Sequence, residues 1–510
     1  MSHEEQNNPK DHNSYGQIVK SSSIMGGAAG INMLLSMLRV KFAAILIGTA
    51  GVGLLASFTA LQNMIGTLAG LGLQSSAVRE IAAASSRGDH EAVARIILTL
   101  RRMCWLTGFM GMLSMMLLSS WLSQLVFAKS DYAVDIAILG IAILLANISG
   151  GQKALIQGMR HIGDLARVDI IAAAVGTISA ITLYWAFGLR GIIPTILMIA
   201  IAQLCCSWWY ARRIRVTRVV LNWRETFNQA GDMVRLGIAM MFSGLLASAV
   251  SLITISLITQ QEGISATGFY SAAFALSGLF VGFVLQAMGA DYYPRLTSVM
   301  HAPKQMKKLV NEQTEVGLLL ALPGLLATLV FAPWAIHIFY SAEFLPAVEL
   351  LQWFLFGCLG RVISWPLGYV ILALGKGRWY LLTESAFSLL HLMLIYIGLS
   401  LYGVLGVAFA FFVMYLIYTI AVCMVCRHLI AFRWSYSSLR EIIYSSLAFA
   451  ITLMMCKFLP IIHSLWIGSV LVIVVGIISV RGLAIRLGND HRLVHMIKHI
   501  PGSKFILPHF

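Results

Sequence analysis

The chain has 510 residues, of which 59% are hydrophobic and only 11% are charged, and its mean hydropathy is +0.83. Soluble domains carry roughly 25% charged residues, so this composition excludes an ordinary water-soluble fold. It predicts an all-α polytopic membrane protein. The formal net charge of +15 would also suit a nucleic-acid-binding protein. The positions of the Lys and Arg residues along the chain decide whether that interpretation is needed.

Fourteen segments are apolar enough to cross a membrane, since a spanning helix needs about 20 apolar residues. The polar N-terminus lacks the apolar core of a cleavable signal peptide, so the first span is expected to direct membrane insertion. The third and ninth spans are long enough to tilt or to project into water. The predicted spans are residues 24–47, 54–74, 96–127, 134–157, 169–187, 191–210, 233–259, 268–290, 314–340, 347–373, 379–400, 403–426, 441–459 and 463–480.

The basic residues are distributed asymmetrically between the two ends of these spans. With the N-terminus in the cytoplasm, most of the 36 Lys and Arg fall on the cytoplasmic side, whereas Lys129, Arg190 and Lys457 fall on the other. This is the positive-inside pattern, so it explains the net charge without nucleic acid. It predicts that both termini are cytoplasmic.

The sequence repeats itself at an offset of about 215 residues. Gly53, Gly188, Gly191 and Arg212 recur as Gly268, Gly403, Gly406 and Arg427. Each half contains six spans, and two similar helical lobes that move against each other are the architecture of many carriers. The predicted organisation is an N-terminal segment 1–22, an N-lobe 23–210, a basic linker 211–232, a C-lobe 233–428, two additional spans 429–480 and a cytoplasmic tail 481–510.

Four cations lie inside predicted spans: Arg39, Lys41, Lys153 and Arg361. A charge at the bilayer centre costs at least ~2.5–3.5 kcal/mol, so each is a candidate functional residue. None has a basic counterpart in the other half, which favours an asymmetric ligand over a scaffold role. We expect Arg39, Lys153 and Arg361 to form a ladder of positive charge suited to a phosphate or pyrophosphate. The alternative is that each binds backbone carbonyls or packs between helices.

The first span separates its two cations by helical spacing. Asn32, Ser36 and Arg39 follow one another at +4 and +7, which predicts one polar face lining a cavity. Lys41 lies on another face among apolar residues, and we expect it to extend towards the membrane interface.

Two carboxylates, Asp169 and Glu384, occupy equivalent positions near the start of the fifth span of each half. One interpretation is a role in ion coupling or substrate access. The other is a simple ion pair with the neighbouring Arg167 or Arg378. No metal site and no cofactor are expected, apart from Na⁺ or H⁺ as a coupling ion.

Three stretches of the sequence resemble a known family. Residues 39–82, RVKFAAILIGTAGVGLLASFTALQNMIGTLAGLGLQSSAVREIA, resemble the first two spans of the O-antigen translocases (Wzx type), and residues 290–299, ADYYPRLTSV, continue the likeness. So does the loop at residues 220–237, VLNWRETFNQAGDMVRLG. These flippases belong to the multidrug/oligosaccharidyl-lipid/polysaccharide exporter superfamily. The last two spans depart from its usual twelve and resemble those of the peptidoglycan-precursor flippases.

The resemblance implies two six-helix lobes that open alternately to each side of the membrane, which would be the cytoplasmic (inner) membrane of a bacterium. It also implies translocation of an undecaprenyl-pyrophosphate-linked oligosaccharide for O-antigen, capsule or exopolysaccharide assembly. A basic residue late in the first span serves the pyrophosphate in such proteins, which carries over to Arg39 only. Polymerase and chain-length proteins would be its partners, besides membrane lipids. Polar groups suited to the glycan are Gln62, Asn63, Ser251 and Thr254.

Three rival interpretations remain. A multidrug or cation antiporter of the same superfamily would be expected to carry acidic residues deep in the first or seventh span, where this chain has cations or no carboxylate. A membrane O-antigen polymerase or ligase would need a long external loop, and the external connections here are short. A lipid scaffold without transport would leave the buried cations unexplained.

Overall fold

The computed structural model describes residues 9–217 and 219–487, and it describes side chains from residue 26 to residue 486 except at positions 218 and 290. Parts of three predicted segments therefore lie outside the described residues. These are residues 1–8 of the N-terminal segment, Arg218 of the linker and residues 488–510 of the tail.

The described residues form seventeen α-helices, two 3₁₀ turns and no strand. The turns are Gly188–Gly191 and Ala342–Phe344. The helices are α1 (Pro9–Leu46), α2 (Gly48–Gly70), α3 (Leu73–Ser86), α4 (His90–Leu117), α5 (Ser119–Phe127), α6 (Ala133–Gly158), α7 (Ile162–Phe187), α8 (Ile192–Ala211), α9 (Trp223–Gln261), α10 (Ile264–Ser298), α11 (Pro303–Val330), α12 (Ala332–Phe339), α13 (Ala347–Ala373), α14 (Gly377–Tyr402), α15 (Val404–Ile430), α16 (Tyr436–Phe458) and α17 (Ile461–Leu487).

The helices confirm the prediction of an all-α polytopic membrane protein. Thirteen stretches within the described ranges are long and apolar enough to cross a membrane. One of them, Ile162–Ala211, is 50 residues long and contains both α7 and α8. Each of the fourteen predicted spans therefore corresponds to a helix.

The third and ninth predicted spans are each divided into a long and a short helix. Leu118 separates α4 from α5 with φ −93° and ψ 6°, and Phe331 separates α11 from α12 with φ −92° and ψ 14°. These angles lie in the bridge region, where the chain leaves the helix without a turn residue. The two breaks occupy corresponding places in the two halves of the chain, so the repeat extends to an irregularity in the backbone.

The recurring glycines also adopt matching geometry. Gly188 and Gly403 end α7 and α14 with φ of 55° and 59°, a conformation that favours glycine. A Cβ on Gly191 would lie 2.4 Å from the carbonyl oxygen of Leu183. A Cβ on Gly406 would lie 1.8 Å from that of Gly398, which is the residue equivalent to Leu183. Both pairs of helices approach closely because glycine has no side chain.

Packing divides the chain into unit 1, Met1–Gly268, and unit 2, Phe269–Phe510. Within unit 1, α4 and α8 pack on α6, and α1 packs on α7. The seventh span, α9, also belongs to unit 1, where the side chains of Ser256 and Gln260 both donate hydrogen bonds to the carbonyl oxygen of Leu125. The predicted lobe boundary at 211–232 concerns which helices move together, and it stays a prediction.

The two additional spans, α16 and α17, pack on α11 within unit 2. Arg486 of α17 bonds Glu315 of α11 at 2.8 Å and Glu441 of α16 at 3.2 Å. Ser438 donates a second hydrogen bond to Glu315 at 2.8 Å. The helix α17 therefore continues through residues 481–487, which the sequence had assigned to the tail.

Candidate functional site

Two of the predicted functional residues contact each other inside unit 1. Lys153 Nζ lies 2.6 Å from Asp169 Oδ1, and both side chains are about one-third exposed. One of the two alternatives for Asp169, an ion pair with Arg167, is not formed, because Arg167 bonds Asp164 at 2.9 Å. Partial burial strengthens the Lys153–Asp169 attraction, while the remaining exposure leaves Lys153 accessible to a competing anion.

Lys153 also lines a cavity of about 340 Å³ between α3, α6 and α8. On one side of the cavity, Gln74 donates a hydrogen bond to Asn147 at 3.4 Å. Gly150 makes room for the Gln74 amide, since a Cβ at position 150 would lie 2.1 Å from Gln74 Nε2. We call this space the polar chamber; its polar lining residues are Gln74, Ser75, Ser149, Lys153, Gln157 and Gln203.

Arg39 lies against the same face of α7 that carries Asp169. Its Nη1 is 3.3 Å from the position that a Cβ on Gly176 would occupy, and it interacts electrostatically with Tyr184. Residues spaced by seven or eight, such as 169, 176 and 184, share one helix face. Lys153 and Arg39 therefore approach that face at levels about 10.5 Å apart, from a rise of about 1.5 Å per residue. No carboxylate among the described residues forms an ion pair with Arg39.

The other predicted residues of α1 are half-buried. Asn32 Oδ1 is buried and has no hydrogen-bond partner among the described residues, and Ser36 lies one turn further along. Thr177 of α7 donates to the carbonyl oxygen of Leu35 at 3.1 Å, which fixes this part of α1 on α7. Lys41 is half-buried and does interact with another group. The predicted difference between Arg39 and Lys41 remains a prediction.

One face of α2 leads towards the polar chamber. Gln62 is half-buried and Asn63 is exposed, and neither side chain makes a hydrogen bond within the described part of the chain. A Cβ added to Gly66 would have no atom within 4 Å, and a Cβ added to Gly70 would lie 3.7 Å from Asn147 Oδ1. Unpaired amides and an open glycine along one face are suited to a ligand with many hydroxyls.

The two predicted lining residues of α9 differ. Ser251 is exposed, whereas Thr254 is only 1% exposed and its hydroxyl donates to the carbonyl oxygen of Val250 at 2.7 Å. The Thr254 hydroxyl is therefore satisfied within its own helix and enclosed by neighbouring side chains. Its role in contacting a glycan stays a prediction.

In unit 2, Arg361 and Glu384 both lie close to Tyr415. The guanidinium group and the carboxylate each interact electrostatically with the Tyr415 phenol, yet no ion pair joins them within the described residues. Glycine at position 360 leaves room for Tyr415, since a Cβ added to Gly360 would lie 3.1 Å from the Tyr415 Cβ. Gly368, the counterpart of Lys153, faces the Tyr418 hydroxyl. Glu384 thus lacks the lysine that pairs with Asp169 in unit 1.

Most polar residues of the chamber were not predicted. They include Gln74, Gln157 and Gln203, the last in the middle of an apolar span, and also Asn147, the hydrogen-bond partner of Gln74. On α6 a usable signal existed, because Asn147, Gly150 and Lys153 recur at intervals of three along one face. An amide within a span is a weaker signal than a charge, although a buried amide also needs a partner.

Comparisons with known proteins agree with this architecture. The family model for polysaccharide biosynthesis proteins matches residues 44–349. The chain is 22% identical over 422 residues to the lipid III flippase of Escherichia coli (strain K12), covering 80% of this chain and 97% of that protein.

Two solved structures share the fold. An inward-facing multidrug resistance MATE family transporter of the MOP superfamily has a TM-score of 0.69 at 13% identity, covering 78% of this chain and 94% of its own. The lipid II flippase MurJ in an inward closed conformation has a TM-score of 0.64 at 15% identity, covering 91% and 99%. The resemblance to flippases of this superfamily is confirmed. The chain belongs to the polysaccharide biosynthesis protein family and is a multi-pass membrane protein with the fold of the multidrug/oligosaccharidyl-lipid/polysaccharide exporters.

Proposed function

We propose that the protein is a flippase that moves a lipid-linked oligosaccharide across the inner membrane. The observation that carries the proposal is the polar chamber, which brings Lys153 together with five glutamine and serine side chains inside an otherwise apolar helical unit. A cation among amides and hydroxyls matches an anionic sugar carrier, whose phosphate binds the ammonium and whose hydroxyls bind the amides. The similarity to a lipid III flippase supports the same class of substrate.

The specific substrate we propose is an undecaprenyl-pyrophosphate-linked repeat unit, moved from the cytoplasmic to the external leaflet by alternating access. The residues proposed to bind the pyrophosphate are Arg39 and Lys153 of unit 1 and Arg361 of unit 2, each within its own unit. The open face of α2 with Asn63 is proposed to contact the glycan. The positive-inside distribution supports cytoplasmic termini. Polysaccharide polymerase and chain-length proteins act on the product and are proposed partners.

Asp169 has a defined part in this proposal. It lies 2.6 Å from Lys153 and neutralises it, which lowers the cost of holding the cation within a span. A pyrophosphate carries more charge and displaces the carboxylate from Lys153, so that substrate binding opens the pair. Glu384, which lacks a lysine partner, is the proposed site at which H⁺ or Na⁺ couples to transport.

The test is a deletion strain complemented with variants, with lipid-linked glycans measured in each membrane leaflet and polysaccharide measured at the cell surface. Deletion is expected to accumulate undecaprenyl-pyrophosphate repeat units in the cytoplasmic leaflet and to remove surface polysaccharide. The wild-type gene should restore both. Normal surface glycan together with altered drug sensitivity would contradict the proposal and favour the antiporter.

A charge exchange separates substrate binding from helix packing. Lys153→Arg should keep most of the activity, because it keeps a cation in the chamber. The double variant Lys153→Asp with Asp169→Lys keeps the ion pair but moves the cation from α6 to α7. We expect it to reach the membrane at normal levels and to fail in flipping. Full activity of the exchanged pair would show that the ion pair serves only the scaffold.

A further inference from the structure

A second open space lies on unit 1, outside the polar chamber. The helices α4 and α8 both pack on α6, and between them they leave a groove of about 990 Å³. Ile148 and Gly151 of α6 form its floor, and the exposed indoles of Trp105 and Trp208 stand along its walls. The groove is separated from the polar chamber by a hydrogen-bonded row in which Ser207 contacts Ser149 at 3.1 Å and Gln152 at 2.6 Å.

The linker after α8 closes one end of the groove. Ile214, Val216 and Val219 line it, and the first two also pack against the core of unit 1. Arg102 holds the following residues in place by donating hydrogen bonds to the carbonyl oxygen of Leu221 at 3.0 Å and to Thr226 Oγ1 at 2.7 Å. The groove is therefore enclosed by an anchored segment and is part of the folded unit.

The charged residues among those that line the groove are two arginines. Arg101 and Arg212 are both exposed, and neither forms an ion pair with a carboxylate in the described part of the chain. The Arg212 guanidinium is oriented by two indoles, at 4.8 Å from the Trp208 ring and 3.7 Å from the Trp209 ring. Such stacking holds the group in position and leaves its edge free for an anion.

We propose that this groove binds an anionic glycerophospholipid of the surrounding bilayer, with its phosphate at Arg101 and Arg212 and an acyl chain along the apolar floor. The volume is at the upper end of ligand pockets, which are about 300–1,000 Å³. An acyl chain gains little by leaving the bilayer, because lipid tails are as apolar as the groove. Selectivity therefore comes from the headgroup. Basic pockets beside spanning helices recognise anionic headgroups in this way.

The charge sets the size of the expected effect. Each basic residue near an anionic membrane surface adds about 1 kcal/mol of attraction, which is about a fivefold preference for an anionic over a zwitterionic lipid. Loss of both arginines should therefore lower the preference for the anionic lipid about 25-fold. A lipid at this site also contacts α4, α8 and the linker together. We expect it to slow thermal unfolding of unit 1 without taking part in translocation.

The experiment uses the full-length purified protein in phosphatidylcholine nanodiscs containing phosphatidylglycerol. Native mass spectrometry then counts each lipid retained after release from the disc. The test variant is Arg101→Gln with Arg212→Gln. The matched control is Arg213→Gln with Arg215→Gln, which removes the same charge close to the groove from residues that do not line it. We expect the test variant to lose phosphatidylglycerol about 25-fold and the control to retain it.

A second variant keeps the test decisive if removal of both arginines impairs folding. Cys205 lines the groove and is exposed, so Cys205→Trp fills the space while both arginines remain. Loss of bound phosphatidylglycerol in this variant supports the proposal. Equal loss in the Arg213/Arg215 control would instead indicate general attraction to the linker and overturn it. Full displacement of the lipid by inorganic phosphate would overturn it as well, since the site would then hold a free anion.

Discussion

The attachment of α17 to α11 through Arg486 provides a quantitative test of the structure. The Arg486 side chain is 23% exposed and that of Glu315 is 11% exposed, and Nε and Nη2 of Arg486 both reach Glu315 Oε2, at 2.9 and 2.8 Å. Removing one partner of a buried pair costs about 3–5 kcal/mol, because the other charge is left uncompensated. Residual exposure and the Ser438 hydrogen bond reduce this figure, so we expect Arg486→Gln to lower the free energy of unfolding by about 2–3 kcal/mol.

The measurement is unfolding in mixed micelles by titration with a denaturing detergent, followed by tryptophan fluorescence. Arg481→Gln is the matched control, because it removes the same charge from an exposed position of the same helix; it should change stability by less than about 0.5 kcal/mol. Adding Glu315→Gln to Arg486→Gln should recover part of the loss, since it neutralises the stranded carboxylate. An Arg481→Gln loss as large as that of Arg486→Gln, or fully additive losses in the double variant, would refute the reasoning.

Three further predictions concern other parts of the chain. Gly53→Ala should destabilise the protein by about 1–3 kcal/mol, because its Cβ would lie 2.0 Å from a backbone carbonyl oxygen of α10. Gly66→Ala on the same helix should leave stability unchanged, since no atom lies within 4 Å of its Cβ position. Equal losses of thermal stability in the two variants would contradict this packing. Arg39→Gln should reduce flipping more than Lys41→Gln at equal membrane levels; the reverse order would refute the facial assignment. Burial, reinforced by a nearby aspartate, raises the pKa of the Glu80 carboxyl in the short helix α3 above its ordinary value. The folded state then binds the extra proton, so stability falls as the pH rises from the unfolded pKa through the folded one. Glu80→Gln should therefore raise Tm at pH 7.5 and leave it unchanged below pH about 4, and a lower Tm at pH 7.5 would contradict this.

The position of the helices was predictable because the hydrocarbon core of a membrane requires long apolar segments with internally bonded backbones. Each of the fourteen predicted spans has a helix, and the 215-residue repeat recurs in the backbone of Gly188 and Gly403. The breaks at Leu118 and Phe331 were not predicted. No Gly or Pro lies close to Leu118, and Pro333 in the first turn of α12 is a helix-start signal that the predicted ninth span did not use. There the backbone leaves the helix at an ordinary apolar residue.

The candidate site shows the same division. A charge inside a span is visible in the sequence, and Arg39, Lys153 and Arg361 are candidates for that reason alone. Their partners are not visible in the sequence. Asp169 lies sixteen residues from Lys153, on the next spanning helix. Only the packing of the helices determines that Asp169 pairs with Lys153, while Arg167 pairs with Asp164.

The sequence by itself determined the class of protein, the number of spanning helices and the internal repeat, because each follows from composition, segment length or local similarity. The tertiary structure alone decided which polar groups meet. It joined Gln74 to Asn147 around the polar chamber and buried Thr254 inside unit 1. It also attached α17 to α11 through Arg486. These outcomes depend on the rotation of each helix about its axis and on which helices lie beside it. The hydropathy along the chain reports neither of them.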